Sequence, residues 1–168
     1  MNRFEQSGRA AGTLRVGDRS IAFNDVWAHR DHSWGRRNWN WVHHWKWLVA
    51  GVPSGTELNA MFHIARGEAG VNGHILRDGQ PVPLVSARHT ATYDEEMGQR
   101  TLEAELIDAR GEVTHLEMER FAIFHLPFGS DTLLSEAACR VRIDGEEGQG
   151  QFETLWPQGY IQRLVGAE

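Results

Sequence analysis

The sequence has too little of several features to belong to some common classes of protein. Its single cysteine, Cys139, excludes a disulfide framework and a four-cysteine zinc site, and it is typical of a reducing compartment. The longest apolar runs, Trp47–Pro53 and Phe121–Phe128, fall far short of the ~20 residues that a membrane helix needs. The first residues contain no apolar signal-peptide core. We therefore predict a cytoplasmic protein without membrane insertion.

Positive charge is scarce as well. The 168 residues include 17 basic and 23 acidic side chains, which gives a net charge of −6. A nucleic-acid-binding surface needs a basic face that neutralises phosphates, so this balance predicts no nucleic-acid partner. Hydrophobic residues nevertheless make up 40% of the chain, which is too many for a disordered protein. The length fits one domain, predicted to cover residues 1–168.

Helical periodicity is sparse, and apolar residues instead recur at every second position. Leu58, Ala60, Phe62 and Ile64 alternate with other side chains, and residues 102–106 show the same pattern. The 18 glycines are spread evenly and accompany turn signals such as Asp144-Gly145. The pattern predicts an all-β fold of about nine or ten antiparallel strands with little helix, either a closed barrel or two packed sheets. A barrel of this size can hold one small ligand.

The densest group of polar and aromatic residues runs from Trp27 to Arg37. In a strand, one face would carry Trp27, His29, Asp31 and Ser33, and the other Arg30, His32 and Trp34. An inward-facing Asp31 would be partly desolvated and partly protonated, which would suit it to give a proton to an alkene or a carbonyl. Equally, Asp31 could belong to a structural hydrogen-bond network that sets the strand register.

Other aromatic residues add to a possible ligand wall. Trp45 and Trp47 have the even spacing of one strand face, and Tyr160 belongs to a predicted closing strand. Among the nine histidines no His-Glu-x-x-His motif occurs, and the adjacent His43 and His44 would point in opposite directions. The sequence also lacks a nucleophile elbow and a dinucleotide-binding fingerprint. We therefore predict no metal and no cofactor.

The segment Asp31-His32-Ser33-Trp34-Gly35 resembles the Tyr-x-Asp-His-Asn-Trp-Gly motif of the carotenoid 1,2-hydratase (hydroxyneurosporene synthase) and AttH-like superfamily. The chain is most similar to the C-terminal domain of the bacterial Asp-His-Ser-Trp-Gly branch. The resemblance implies a lipocalin-like β-barrel with the proton donor at Asp31. The tyrosine of the motif is replaced here by His29 and its asparagine by Ser33, which puts the hydratase chemistry in question. Typical members have two such halves, which implies a homodimer or a compact binding module.

Two functions follow from these observations. The first is a cofactor-independent hydratase or dehydratase, isomerase or cyclase that acts on an apolar unsaturated molecule, such as an isoprenoid, a steroid or an aromatic compound, in the barrel lumen. Asp31 would donate the proton and His29 would orient it or act as a base. The pocket would be formed by Trp27, Ser33, Trp34, Trp45, Trp47 and Tyr160. The second is a non-catalytic carrier of a similar hydrophobic ligand, and a domain that serves only for assembly is a third possibility.

Overall fold

The computed structural model describes residues 2–36, 42–128, 132–157 and 159, and its elements are all antiparallel β-strands. In this part of the chain they are β1 (Asn2–Val16), β2 (Arg19–Trp34), β3 (Val42–Gly51), β4 (Glu57–Ala65), β5 (Glu68–Arg77), β6 (Gln80–Tyr93), β7 (Gln99–Asp108), β8 (Val113–Phe128), β9 (Thr132–Ile143) and β10 (Glu146–Pro157). The described residues include no helix with the length and apolar character needed to cross a bilayer. The prediction of an all-β protein with little helix is confirmed.

The contacts divide the chain into two compact units, Met1–Arg37 and Asn38–Glu168. Strands β1 and β2 form a two-stranded sheet, the hairpin. The other eight strands form a closed barrel in the order β10-β3-β4-β5-β6-β7-β8-β9. The predicted antiparallel barrel is therefore confirmed, and it contains eight of the ten strands.

The hairpin is long and regular. Its pairing runs from Asn2 opposite Trp34 to Val16 opposite Arg19, with one irregularity between Ala10 and Gly12. Most of its side chains are exposed or half-buried, and the residues next to the turn are all exposed.

Apolar side chains fill most of the barrel interior. Alternate residues of each strand point inward, and Leu48, Leu102 and Phe152 are completely buried there. Burial of one such side chain stabilises a fold by roughly 1.5–3 kcal/mol. The filled part of the interior includes the end of the barrel at which β3, β5, β7 and β9 finish. We call the opposite end, where these strands begin, the mouth.

The ladder between β5 and β6 is the shortest in the barrel. Its four residue pairs join His74–Arg77 to Gln80–Pro83. Pro81 and Pro83 have no N–H groups to donate to a neighbouring strand, and Gly73, just before the paired stretch, has a φ of 134°. Towards the mouth, β6 pairs with β7 through residue Tyr93 but has no pairing with β5 in the described structure. This leaves a lateral gap in the wall.

Candidate functional site

A cavity of about 580 Å³ lies at this gap and reaches the inner face of the mouth. Small-molecule sites in proteins typically have about 300–1,000 Å³. We call it the mouth cavity, and its described lining consists of His44, Lys46, Phe62, His63, Ile64, Ala69, Gly70, Val71, Val85, Ser86, Ala87 and His89. The lining is mainly apolar, with imidazole rings and one amine as its titratable groups.

His44 is held in one orientation and one tautomer. Its Nδ1 lies 2.7 Å from the Leu155 carbonyl oxygen, to which it donates a hydrogen bond, and the Trp156 ring stacks on the imidazole with centroids 3.8 Å apart. Nε2 is therefore the acceptor of the hydrogen bond from Lys46 Nζ, at 3.1 Å. Burial, and next the positive charge of Lys46, lower the pKa of His44 to about 4. The ring is neutral at pH 7.

His89 brings a second neutral imidazole to the cavity from β6. Its ring stacks on Phe62 with centroids 4.1 Å apart and an interplanar angle of 9°. Desolvation, and then the charge of Lys46, lower the pKa of His89 to about 4. Desolvation also lowers the pKa of Lys46 itself. The cavity thus disfavours positive charge on all three bases.

Tyr93 contributes a phenol to the same end of the barrel. Its ring packs edge-on against Trp156, with centroids 5.6 Å apart. Burial raises the pKa of Tyr93, so the hydroxyl stays protonated. This buried hydroxyl has no hydrogen-bond partner among the described residues. A buried donor without a partner is costly, and a polar group of a ligand would satisfy it.

A buried hydrogen-bond network separates the mouth from the apolar interior. The Gln99 amide nitrogen donates to the carbonyl oxygens of Ser135 and Phe152, at 2.8 and 2.6 Å, and Gln99 is fully buried. The Thr154 hydroxyl donates to Gln99 Oε1 at 3.0 Å. These bonds tie β7, β9 and β10 together, which makes the mouth a rigid platform for a ligand.

The predicted catalytic pair, Asp31 and His29, lies on β2 of the hairpin. The Asp31 side chain is 42% exposed and faces Arg3, with Nη2 3.7 Å from Oδ2. His29 is only 5% exposed, and its ring nitrogens contact Ser7 Oγ at 3.1 Å and Glu5 Oε2 at 2.9 Å. Glu5 also pairs with Arg3. The five side chains form one polar network that ties β1 to β2.

The other predicted hairpin residues lie on the two faces as alternation requires. Trp27 is on the His29 face, with ring centroids 6.3 Å apart, and Ser33 is half-buried. Trp34 lies on the opposite face, where its ring contacts His32 at 5.2 Å and Phe4 at 6.4 Å between centroids.

The predicted substrate contacts of the barrel lie outside the mouth cavity. Trp45 and Trp47 are buried on the face of β3 that points away from the Leu48 core, and the Trp45 indole donates to Glu153. The residues that reach the cavity from β3 are instead His44 and Lys46, at the alternate positions. Tyr160 lies outside the described residues, so its predicted contact stays untested.

The described residues place no three histidine, cysteine or acidic side chains around a common point for a metal ion.

Cys139 is 1% exposed in the barrel core, where burial raises the pKa of its thiol to about 12. A thiol that stays protonated is a poor nucleophile. A shallow depression of about 320 Å³ on the outer wall is lined by paired charges, such as Arg142 with Glu147 at 3.0 Å, and forms a solvated face.

Sequence reasoning missed the mouth residues His44, Lys46, His89 and Tyr93. The alternation in β3 was a usable signal, because it separates His44 and Lys46 from Trp45 and Trp47. For His89 no local signal was sufficient. A register shift between Leu84 and Ser86 turns Ala87 and His89 towards the interior, and simple alternation from Leu84 places them outside.

The chain matches a known family model. The sequence profile of the family described as "Domain of unknown function (DUF7064)" matches residues 1–158. No curated protein sequence is significantly similar to the chain.

Solved structures with the same fold include the following two. One is described as an AttH from Nitrosomonas europaea, with a TM-score of 0.64, 13% identity, and coverage of 91% of this chain and 51% of that chain. The other is kievitone hydratase from Nectria haematococca, with a TM-score of 0.57, 15% identity, and coverage of 91% and 52%. The chain therefore spans about half the length of each. Identities this low show the fold alone, and at that level the predicted resemblance to AttH-like lipocalin-fold proteins is confirmed.

Proposed function

Because the chain belongs to the DUF7064 family and shares its barrel fold with a hydratase, we propose that it is an acid–base enzyme of the hydratase type. The substrate is an apolar unsaturated small molecule, such as an isoprenoid, a steroid or an aromatic compound. The reaction is the addition or removal of water, or an isomerisation or cyclisation that begins with the same proton transfer.

One observation supports this proposal above the others. The mouth cavity combines apolar walls with two imidazoles that are neutral at pH 7, His44 and His89. A neutral imidazole in reach of a ligand can accept a proton, and the low pKa makes its conjugate acid a strong donor. The cavity of about 580 Å³ has room for a small apolar molecule.

Each mouth residue has a distinct part in the proposed reaction. His89, which is an exposed residue, exchanges the proton with the substrate. The Tyr93 hydroxyl donates a hydrogen bond to a substrate oxygen, because it remains protonated and has no acceptor in the described structure. Phe62 and Trp156 provide aromatic faces that contact the apolar body and stabilise positive charge.

Asp31 and His29 form a second proposed acid–base centre, on the hairpin. The exposure of Asp31 and its pairing with Arg3 are typical of a structural ion pair, which favours the mouth as the place of chemistry. The substitution Asp31→Asn tests this centre separately. The substrate chemistry needs no cofactor, and we propose that the enzyme acts in the cytoplasm without a nucleic-acid partner.

The alternative is a carrier that binds the same kind of molecule without converting it. The rigid, filled interior below the mouth favours this reading, since a carrier needs a preformed site and no moving parts. The two functions differ in turnover alone.

Deuterium incorporation distinguishes them. The protein is incubated in heavy water with a panel of apolar alkenes, enones and their hydrated forms, and products are analysed by mass spectrometry alongside tryptophan-quenching titrations. We expect label in at least one compound, and a loss of about 100-fold in rate for His89→Gln. His115→Gln, an exposed histidine on β8, is the matched control and should keep the wild-type rate.

The other outcomes are equally informative. Quenching by a compound that never takes up label would favour the carrier. A rate that falls in Asp31→Asn and not in His89→Gln would place the acid–base centre on the hairpin.

A further inference from the structure

Lys46 is the only lysine in the chain. Of the 17 basic side chains, all others are arginines, and in the described part of the chain Arg77 and Arg142 are examples that form ion pairs. An arginine keeps its charge under nearly all conditions and is not a nucleophile, whereas a lysine amine can lose its proton and react. The one position with an amine is therefore the one that lines the mouth cavity.

The surroundings of Lys46 differ from those of an ordinary surface lysine. Nζ lies 3.1 Å from His44 Nε2, and Phe62 is directly opposite on β4. The described lining of the cavity contains no aspartate or glutamate that would hold the amine in its charged form. A base, and not a carboxylate, is thus the neighbour of this amine.

We propose that Lys46 is a reactive amine that forms a Schiff base with the carbonyl group of an apolar aldehyde or ketone bound in the mouth cavity. Lys46 is half-buried at the cavity, and the apolar walls bind the rest of the ligand. This reaction is separate from hydration, and neither needs the other to occur.

The atoms of the step balance with the groups that are present. His44 Nε2 takes one proton from the Lys46 ammonium, and the amine lone pair forms the N–C bond to the carbonyl carbon. The adduct nitrogen gives a second proton to the carbonyl oxygen, which produces a carbinolamine. His44 then returns its proton to the hydroxyl group, the C–O bond breaks, and the oxygen leaves as water. The products are a protonated imine on Lys46, one water molecule and an unchanged His44.

Two features of the structure assist this step. Desolvation lowers the pKa of Lys46, which raises the fraction of free amine at neutral pH. The bond from His44 Nδ1 to the Leu155 carbonyl keeps Nε2 unprotonated and directed at the amine. In an unsaturated carbonyl ligand, the resulting iminium would also withdraw electrons from the adjacent double bond and ease the addition of water to it.

Borohydride trapping tests the proposal. The folded protein is incubated with 4-phenylbutan-2-one, an apolar ketone without a double bond for conjugate addition, and reduced with sodium borohydride. We expect an adduct whose mass is that of the ketone less one oxygen atom, located at Lys46 by peptide mapping. The N-terminal amine is the only other primary amine of the chain and serves as the internal reference.

A relocated lysine provides the matched control. The double variant Lys46→Arg/Arg88→Lys keeps the charge and the single lysine but moves the amine to a side chain that is 84% exposed. Circular dichroism confirms that it folds. Trapping at Lys46 should be at least about tenfold faster than at the relocated lysine. Equal rates, or label at the N-terminus alone, would overturn the proposal.

A third result would assign a different role. If 4-phenylbutanoate binds in a Lys46-dependent way while the ketone is never trapped, Lys46 is an anion-binding cation and the Schiff base is overturned. Trapping without any deuterium exchange would leave the Schiff base standing and argue against the hydratase.

Discussion

Single residues set the protonation state of the mouth. His44 is 7% exposed, and the titratable side chains that face it are Lys46 on its own strand and His89 on β6. Both neighbours are bases, so each adds to the cost of protonating His44 that burial already imposes. No acid opposes them in the described lining of the cavity, so both imidazoles are neutral at pH 7 and the pKa of Lys46 is lowered by desolvation.

This arrangement predicts a specific dependence of stability on pH. The pKa of His44 is about 4 in the folded protein and 6.5 in the unfolded chain, so between these values the unfolded state binds more protons. The contribution of His44 to stability is therefore fully present above pH 6.5 and is lost as the pH drops towards 4. The contribution of His44 is on the order of 2 kcal/mol.

Urea denaturation at pH 7 and pH 5 measures the contribution of His44 to the free energy of unfolding. Wild type should lose more free energy of unfolding between the two pH values than His44→Gln, which has no imidazole to titrate. The control is His43→Gln, at the exposed neighbouring position, which should behave as wild type. An identical pH dependence in all three proteins would contradict the assignment of a neutral His44.

At the level of strands, the short ladder between β5 and β6 leaves the gap at which the mouth cavity lies. Prolines at two of the four paired positions of β6 weaken the ladder, and the bulge at Leu84 and Ser86 turns the rest of the strand. On β5, Gly73 comes close to the backbone of β4: a Cβ there would lie 2.1 Å from the Asn59 carbonyl oxygen. A side chain at this position cannot be accommodated without moving one of the strands.

Substitution of this glycine is the prediction at the strand level. Gly73→Ala should destabilise the barrel by about 3 kcal/mol, because it adds the clash to the strain of a positive φ. Gly79→Ala in the β5–β6 turn, with φ of 72° and open space, carries the strain alone and should cost about 1 kcal/mol. Thermal or urea unfolding compares the two, and equal costs would show that the backbone contact is unimportant.

For the whole molecule, the exposed apolar side chains of the hairpin bear on whether two copies of the chain associate. A two-stranded sheet alone is marginally stable in water, and this one exposes Leu14, Val16 and Ile21, which are 53%, 60% and 48% accessible. We propose that this 168-residue chain forms a homodimer in which the hairpin tip is covered.

Light scattering after gel filtration tests the dimer. Wild type should have twice the mass of one chain, and Leu14→Lys/Ile21→Lys, a directly paired set, should shift it to the monomer. The neighbouring pair Thr13→Lys/Ala22→Lys adds the same charge on the other face and should remain dimeric. A monomeric wild type, or equal dissociation by both variants, would contradict the proposal.

Much of the fold could be predicted because β-structure is encoded locally. Alternation in residues 58–64 and 102–106 and the turn at Asp144-Gly145 all correspond to observed strands and turns. The motif around Asp31 also led to the correct fold, since structural neighbours of that kind share it. The roles predicted for Asp31, His29 and the tryptophans remain predictions.

The sequence by itself determined the all-β class, the alternation of faces along each strand and the resemblance in fold that Asp31-His32-Ser33-Trp34-Gly35 indicated, because these depend on neighbouring residues. The tertiary structure alone decided which eight strands close the barrel, and that β1 and β2 form a separate sheet. It also brought Lys46 and His89 to one cavity although 43 positions separate them in the sequence. Strand pairing is non-local, and a single bulge reverses which side chains point inward, so neither could be read from local pattern.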